Sequence, residues 1–415
     1  NMSEHWIHTW TAMPILVEPE PDKLPSKNFI RDSFVFANTT LRQTIKMTLG
    51  TEKYFRLRFS NAFGTENLKI DHATVALSKN QACGVPNVEP HTMRTVTFDG
   101  SGTTTIVGGA LAVSDPIDFD GPLPANIILS ISLFFKEGQD VRTGITSHPG
   151  SRTTSFCVLG DFSLEPEWTE PSLEEIEHWY YISGVEIQSS SETGTIAIIG
   201  DSITDGREST ANQNDRWPDR LFSRLQSNPA TASLSIISQA AGGNRVLTDG
   251  IGPNLLSRLD RDILSLSRVQ YVVLFEGVND IGAAEADEET QANIGDRLIA
   301  AYKQIATRVH ANGIKIFAAT ITPFGRRIGE VVSDPEAQGV TWYSHPRREC
   351  TRLRVNDWIR ESSSFDAIVD FDSVLRDPNH ASSLASRFDG GDRLHPNAVA
   401  FQALADSFGL EIFTH

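Results

Sequence analysis

Four short stretches in the carboxyl-terminal half of the sequence hold side chains that could together do nucleophilic chemistry. They are Gly200-Asp-Ser-Ile-Thr-Asp-Gly206, Ala240-Ala-Gly-Gly-Asn-Arg245, Glu276-Gly-Val-Asn-Asp280 and Asp389-Gly-Gly-Asp-Arg-Leu-His-Pro396. A serine alcohol is a poor nucleophile at neutral pH and needs a base within hydrogen-bond reach. His395 can serve, because an unperturbed imidazole titrates at about 6.5, near working pH. The base in turn needs a partner that fixes its tautomer. Asp392, three residues earlier in the same loop, can fold back onto Nδ1 and leave Nε2 for Ser202. Charge then develops on a substrate carbonyl oxygen, and the backbone N–H groups of Ser202 and Gly243 with the side-chain amide of Asn279 would stabilise it, each donor contributing ~3 kcal/mol. The chemistry this set supports is acyl transfer from an ester. Taken singly, each residue has a plainer reading: a turn serine, a turn glycine, a turn asparagine, a turn aspartate, a histidine at a helix start.

The elements that must position these residues are strands and helices in alternation. The run Thr195-Ile-Ala-Ile-Ile-Gly200 is short, β-branched and apolar, as a buried parallel strand is, and it breaks off at Gly200 so that Ser202 falls at a strand's carboxyl end. Strands are then expected at 234–237, 271–275, 314–321 and 367–371. Helices are expected near 217–225, 255–266, 290–311, 347–360 and 396–408, the third ending at the stop signal Asn312-Gly313. Such alternation predicts a parallel sheet with helices on both faces, and in such sheets ligands bind at the carboxyl edge.

Residues 5 to about 190 read differently. Alternating segments such as Tyr54-Phe-Arg-Leu-Arg-Phe-Ser60 and the run Ala125-Asn-Ile-Ile-Leu-Ser-Ile-Ser-Leu-Phe-Phe135 are separated by Gly, Pro, Asn and Asp turn signals, which predicts an all-β sandwich or jelly-roll-like domain. The polar stretch Gln188-Ser-Ser-Ser-Glu-Thr-Gly194 has a linker's composition, so the domains are set at 1–190 and 191–415. The opening His5-Trp-Ile-His-Thr-Trp10 is compatible with a metal or sugar-stacking site, but aromatic packing against the neighbouring domain is the favoured reading.

Composition narrows the function classes. A net charge of −17 argues against nucleic acid and anionic membranes as partners, while 39% hydrophobic and 21% charged residues describe an ordinary globular chain. No run approaches the roughly 20 apolar residues that span a bilayer. The three cysteines, Cys83, Cys157 and Cys350, are in no metal-ligand or redox spacing. Met2 reads as a native start behind an added Asn1, with no leader following, so a cytoplasmic location is expected over secretion with a leader removed. The absence of a Gly-x-Ser-x-Gly elbow disfavours the ordinary α/β-hydrolase fold. No P-loop, His-Glu-x-x-His or dinucleotide fingerprint occurs, so no cofactor and no metal is called for.

The four stretches, in this order, resemble the sequence blocks of the SGNH hydrolases, also called the GDSL esterase/lipase family, over residues 195 to 410. The resemblance implies a flavodoxin-like three-layer fold and a cofactor-free serine esterase. It maps Ser202, Asp392 and His395 onto the triad and Ser202, Gly243 and Asn279 onto the oxyanion hole; Gly242 or Gly243 could align, and Gly243 is chosen because it precedes Asn244. An amino-terminal β domain before such a hydrolase domain is similar to some carbohydrate acetylesterases, which raises a sugar-ester substrate.

Specificity is written more faintly. The polar insertion from Pro323 to His345 follows a strand end, so Phe324, Trp342 and Tyr343 are candidates for lining an acyl or alcohol pocket, and Arg207 or Arg245 for holding a substrate carboxylate, against a reading as surface-loop residues and solvated arginines. The expectation is an esterase acting on a short-chain acyl ester of a small molecule or carbohydrate. An acyltransferase using the same triad is the first alternative. A glycan- or partner-binding protein with a vestigial hydrolase domain is the second, against which stands the survival of all four stretches. Oligomeric state has no signature in the sequence.

Overall fold

The computed structural model describes residues 5–17, 23–189, 192–327 and 343–414. It divides into two compact units, one of residues 1–193 with 211–214, the other of residues 194–210 with 215–415.

The first unit is all-β, and its paired strands are antiparallel. One sheet runs in the order Glu174–Ile176, Ser155–Leu159, Thr39–Lys46, Ile128–Phe135, His72–Leu77, Arg94–Thr95. A second is built on His5–Thr11, Ile182–Ser189 and Tyr54–Ser60, with Leu111–Val113 and Ile117–Asp118 on its edge. In Tyr54–Ser60 the period of two puts Phe55, Leu57 and Phe59 in the core and turns Arg56 and Arg58 to the other face. There both arginines meet the buried Glu186, at 2.6 and 3.3 Å, and His8 stands 3.7 Å from the same carboxylate. Trp6 lies under the Arg56 guanidinium at 4.2 Å and Trp10 packs edge-on to Trp179 at 4.9 Å. The aromatic and histidine cluster of the first strand is thus engaged within its own unit. Among the described residues, no group of three or more His, Cys, Asp or Glu is placed to hold a metal ion, and no helix is long and apolar enough to cross a membrane.

In the second unit elements are numbered from its own start. The strands are β1 (Gly194–Gly200), β2 (Leu234–Ala240), β3 (Val269–Phe275), β4 (Lys315–Ala319) and β5 (Ala367–Val369). Their spatial order is β2-β1-β3-β4-β5 and every pairing is parallel. That is the flavodoxin-like order, whose switch point lies between β1 and β3. Among the described residues the α-helices are α1 (Ser202–Asp205), α2 (Trp217–Gln226), α3 (Leu255–Leu259), α4 (Val278–Ala283), α5 (Glu288–Ala311), α6 (Pro346–Glu361), α7 (Phe371–Leu375) and α8 (Ala398–Asp406). On one side α2 packs on α8, with Trp217 stacked on Phe408 at 5.7 Å; on the other α5 packs on α6. Three layers result. β1 is buried along its whole length, which is why its sequence reads as an unbroken apolar run rather than an alternation.

Local chemistry shifts several expected boundaries. The helix expected from 255 to 266 is a single α-helical turn, α3, continued by a π-helical stretch, Asp260–Leu264. The last strand stops at Val369 because Asp370 caps α7 by accepting from Ser373 N–H, and the last helix begins at Ala398 because Asn397 caps it through Ala400 N–H.

One buried cation ties the second unit together. Arg258, on α3, donates to Asn244 Oδ1 at 3.0 Å, to the Gln239 carbonyl at 3.0 Å, to Asp262 Oδ2 at 3.4 Å and to Glu276 Oε2 at 3.2 Å. Removing it leaves Glu276 buried without its guanidinium partner, while Asp262 keeps only Arg261, at 2.7 Å, among the described residues. Arg258→Ala should therefore cost about 3–5 kcal/mol of stability, read from the urea midpoint; a loss below about 1 kcal/mol would show that the network is not what secures this sheet edge.

Candidate active site

Ser202 opens α1 immediately after β1. Asp201 is the cap, its carboxylate accepting from Ile203 N–H at 3.0 Å, so the chain turns sharply at the strand end and leaves the serine at the carboxyl edge. As the first residue of a helix, Ser202 has a backbone N–H with no acceptor inside the helix.

His395 arrives from the far end of the sequence on a tightly tied loop. Gly390 N–H donates to the His395 carbonyl at 2.8 Å, and Asp392 Oδ1 accepts from the N–H groups of Leu394 and His395 at 2.9 and 2.8 Å. The second oxygen of Asp392 meets His395 Nδ1 at 2.5 Å, and His395 Nε2 lies 2.8 Å from Ser202 Oγ. The three residues expected from sequence are therefore joined in one chain of hydrogen bonds. Burial pushes the Asp392 carboxyl up, but the hydrogen bond and charge of His395, with the two backbone donors, outweigh it and hold the group at about 2. Asp392 is thus ionised throughout the neutral range and can hold the proton of Nδ1 in place, turning the free lone pair of Nε2 to the serine.

Three loops meet at the switch point. Gly243 stands in the turn after β2 with φ 71°, a left-handed backbone that favours glycine. Gly242, the alternative from sequence, gives its N–H to Asp205 Oδ2 at 3.3 Å, which ties this loop to α1 and leaves the next N–H, that of Gly243, as the candidate donor. Asn279 lies in the first turn of α4, after β3, and its Nδ2 donates to the Asn244 carbonyl at 3.0 Å while its Oδ1 accepts from the Tyr343 hydroxyl at 3.1 Å. Asp280 accepts from Val246 and Leu247 N–H, both at 2.9 Å, and so clamps the β2 loop from the other side.

Among the expected substrate contacts, Phe324 and Tyr343 are buried and pack edge to face at 6.3 Å. Arg207 is about half exposed, 3.8 Å from the Glu208 carboxylate. Arg245 is partly buried, and its Nε has no hydrogen-bond partner among the described residues. Trp342, with most of the insertion that carries it, lies outside the described residues. Three contributors went unassigned from sequence: Asp205, Asp280 and Arg258. For Asp280 a signal existed, its place beside Asn279 in the third stretch; for Arg258 there was none.

With this geometry in view, the comparison with known families is direct. Residues 198–403 match the GDSL-like Lipase/Acylhydrolase family. This part of the chain belongs to that family. The GDSL-like domain is that of a carboxylic ester hydrolase, a class in which a triad and an oxyanion hole are typical. Solved structures similar to the chain include an acetylxylan esterase from Geobacillus stearothermophilus, 20% identical over 53% of this chain and 94% of that one, TM-score 0.37. A carbohydrate acetylesterase from Sinorhizobium meliloti is 16% identical over 51% and 95%, TM-score 0.36. A GDSL-like lipase from Bacteroides thetaiotaomicron is 16% identical over 53% and 87%, TM-score 0.36. A search of curated proteins finds no match to the chain.

Beneath the GDSL-like site lies an excess of buried carboxyl groups. Burial raises Asp201 to about 7, against the pull of the Ile203 N–H and with the push of Asp280; burial likewise raises Asp280 to about 6 and Glu276 well above the carboxylate range. An aspartate at about 7 in the folded chain and near 4 unfolded binds its proton more tightly when folded. Its stability contribution is complete below about pH 4 and is lost as pH rises from there through about 7. Asp201→Asn keeps the cap and removes the titration, so between pH 5 and 8 the variant should lose about 2 kcal/mol less stability than the parent. Parallel stability–pH curves for the two would show that Asp201 is ionised like an ordinary surface aspartate.

Proposed function

We propose that the GDSL-like domain is a serine esterase that hydrolyses a short-chain acyl ester through an acyl-enzyme on Ser202. The observation that carries this reading is the contact of Ser202 Oγ with His395 Nε2 at 2.8 Å, continued from Nδ1 to Asp392. Oγ attacks the ester carbonyl as its proton passes to Nε2, and the negative charge on the carbonyl oxygen is received by the N–H groups of Ser202 and Gly243 and by Asn279 Nδ2. Collapse breaks the bond to the alkoxy oxygen, which takes the proton from Nε2 and leaves as the alcohol. Water, deprotonated by the same imidazole, then releases the acid. Asn279 Nδ2 carries two hydrogens, and the one not given to the Asn244 carbonyl remains for the oxyanion.

Near-complete burial of Ser202, Asn279 and His395, at 7, 4 and 2% exposure, favours a small acyl group at the reacting carbon. An O-acetyl ester of a sugar or small molecule is the substrate class we assign, in line with the similarity of the two-domain plan to carbohydrate acetylesterases.

Ser202→Ala should fold as the parent does and lose p-nitrophenyl acetate hydrolysis by about a thousandfold or more, with fluorophosphonate labelling lost alongside; turnover within tenfold of the parent would end the proposal. The same assay run with a competing alcohol separates hydrolysis from transfer, since a transferase yields the new ester rather than acetate. Only the neutral imidazole can accept the serine proton, so kcat/KM should fall as pH is lowered from 8 to 5. Asp392, held at about 2, stays ionised over that range and is not the group responsible. A flat profile would remove His395 from the role of base.

A further inference from the structure

This inference rests on the reading of Asn279 as an oxyanion donor and adds a residue to it. A side-chain amide is an effective donor only if its nitrogen, and not its oxygen, faces the developing charge; a half-turn about the last bond would put a carbonyl dipole where the oxyanion forms and repel it. Two contacts decide which way Asn279 stands. The Asn244 carbonyl can only accept, so the atom 3.0 Å from it is the amide nitrogen. On the other side Oδ1 receives the Tyr343 hydroxyl at 3.1 Å.

Tyr343 is built into this place. It is 9% exposed, and its ring lies so close over α4 that a Cβ on Gly282 would stand 2.2 Å from a ring carbon, a contact only glycine avoids. Gly282 is three residues beyond Asn279, so the two share one face of α4 and the ring resting on one brings its hydroxyl to the other. Phe324 closes on the ring edge-on at 6.3 Å. Burial pushes the phenol above its ordinary value, so the hydroxyl keeps its proton to give to Oδ1 at working pH.

We propose that Tyr343 is a positioning residue for the oxyanion hole: its hydroxyl locks the Asn279 amide so that Nδ2 faces the carbonyl oxygen of the substrate. The role is distinct from lining an acyl pocket, because it acts through Asn279 and is felt in the transition state rather than in substrate binding.

The test is Tyr343→Phe, which keeps the ring on Gly282 and removes only the hydroxyl. With p-nitrophenyl acetate, kcat should fall about tenfold with KM within about twofold, a fraction of what losing the donor outright would cost. In an Asn279→Ala background the same substitution should have no further effect on kcat. Unchanged kcat in the single variant, or an equal loss with and without Asn279, would overturn the proposal, the latter by assigning Tyr343 a packing role alone. Ser202→Ala separates the two levels: if that variant keeps parental turnover the esterase reading has failed, whereas an inactive Ser202→Ala beside a fully active Tyr343→Phe sinks this inference only.

Discussion

The buried guanidinium of Arg258 is the contact on which the second unit's working edge depends. It reaches the last turn of β2 through the Gln239 carbonyl, the loop beyond it through Asn244, and the residue after β3 through Glu276. Planar, multiply donating and always charged, an arginine head can satisfy several acceptors at once where a lysine would offer a single point charge. The benefit is geometric more than energetic, since a buried ion pair returns little net stability over a well-packed apolar substitute. What it supplies is a fixed relation between the loops after β2 and β3. Asn279 and Gly243 stand on those two loops, and a displacement of a fraction of an ångström between them would degrade any shared anion site.

The same logic extends outward through backbone donors. Gly242 N–H is given to Asp205, the N–H groups of Val246 and Leu247 to Asp280, and Ile203 N–H to Asp201. Each donor committed to a carboxylate is one that cannot swing toward the substrate. The strand order concentrates this effect. Because β2, β1 and β3 are neighbours, their three following loops are neighbours too, and the topological switch between β1 and β3 lies beside Ser202.

Much of this was legible in the sequence, and the reasons are specific. β1 and β3 are continuous apolar runs because parallel strands are covered on both faces, so their ends, and hence the positions of Ser202 and Asn279, could be read directly. Helices long enough to show a period, such as α2, α5 and α6, were visible; α1, α4 and α7, of four to six residues, were not, because so few residues display no face and each exists only through its cap and its seat on the sheet. The π-helical turn Asp260–Leu264 was equally silent, since an inserted residue shifts the period without changing composition. Arg258 illustrates a different limit. Its partners lie at 239, 244, 262 and 276, and a lone arginine in a helical pattern is ordinarily a solvated one. Tyr343 illustrates a third: an aromatic ending a polar insertion reads equally well as rim or core, and only Gly282 beneath it, far away in sequence, determines that the ring is seated.

An apparent contradiction remains in the electrostatics, and resolving it clarifies the design. An oxyanion hole must favour negative charge, yet Asp201, Asp280 and Glu276 crowd beneath the proposed one, with Arg258 paired to Glu276 and Arg245 acting on Asp280. Were all three carboxyls ionised, they would oppose the charge of the transition state at short range and low dielectric. Burial raises all three, Asp201 to about 7, Asp280 to about 6 and Glu276 well above the carboxylate range, so Glu276 and part of the Asp201 population keep their protons near neutrality while Asp280 is mostly ionised. Asp392, by contrast, is held at about 2 and faces Nδ1 of His395, where in the proposed mechanism it would stabilise the imidazolium formed when Oγ loses its proton. Negative charge is thus retained beside the imidazole and reduced, though not removed, beneath Ser202 and Asn279. The division is made by burial and by the partner imidazole rather than by residue type, since three of the four groups are aspartates.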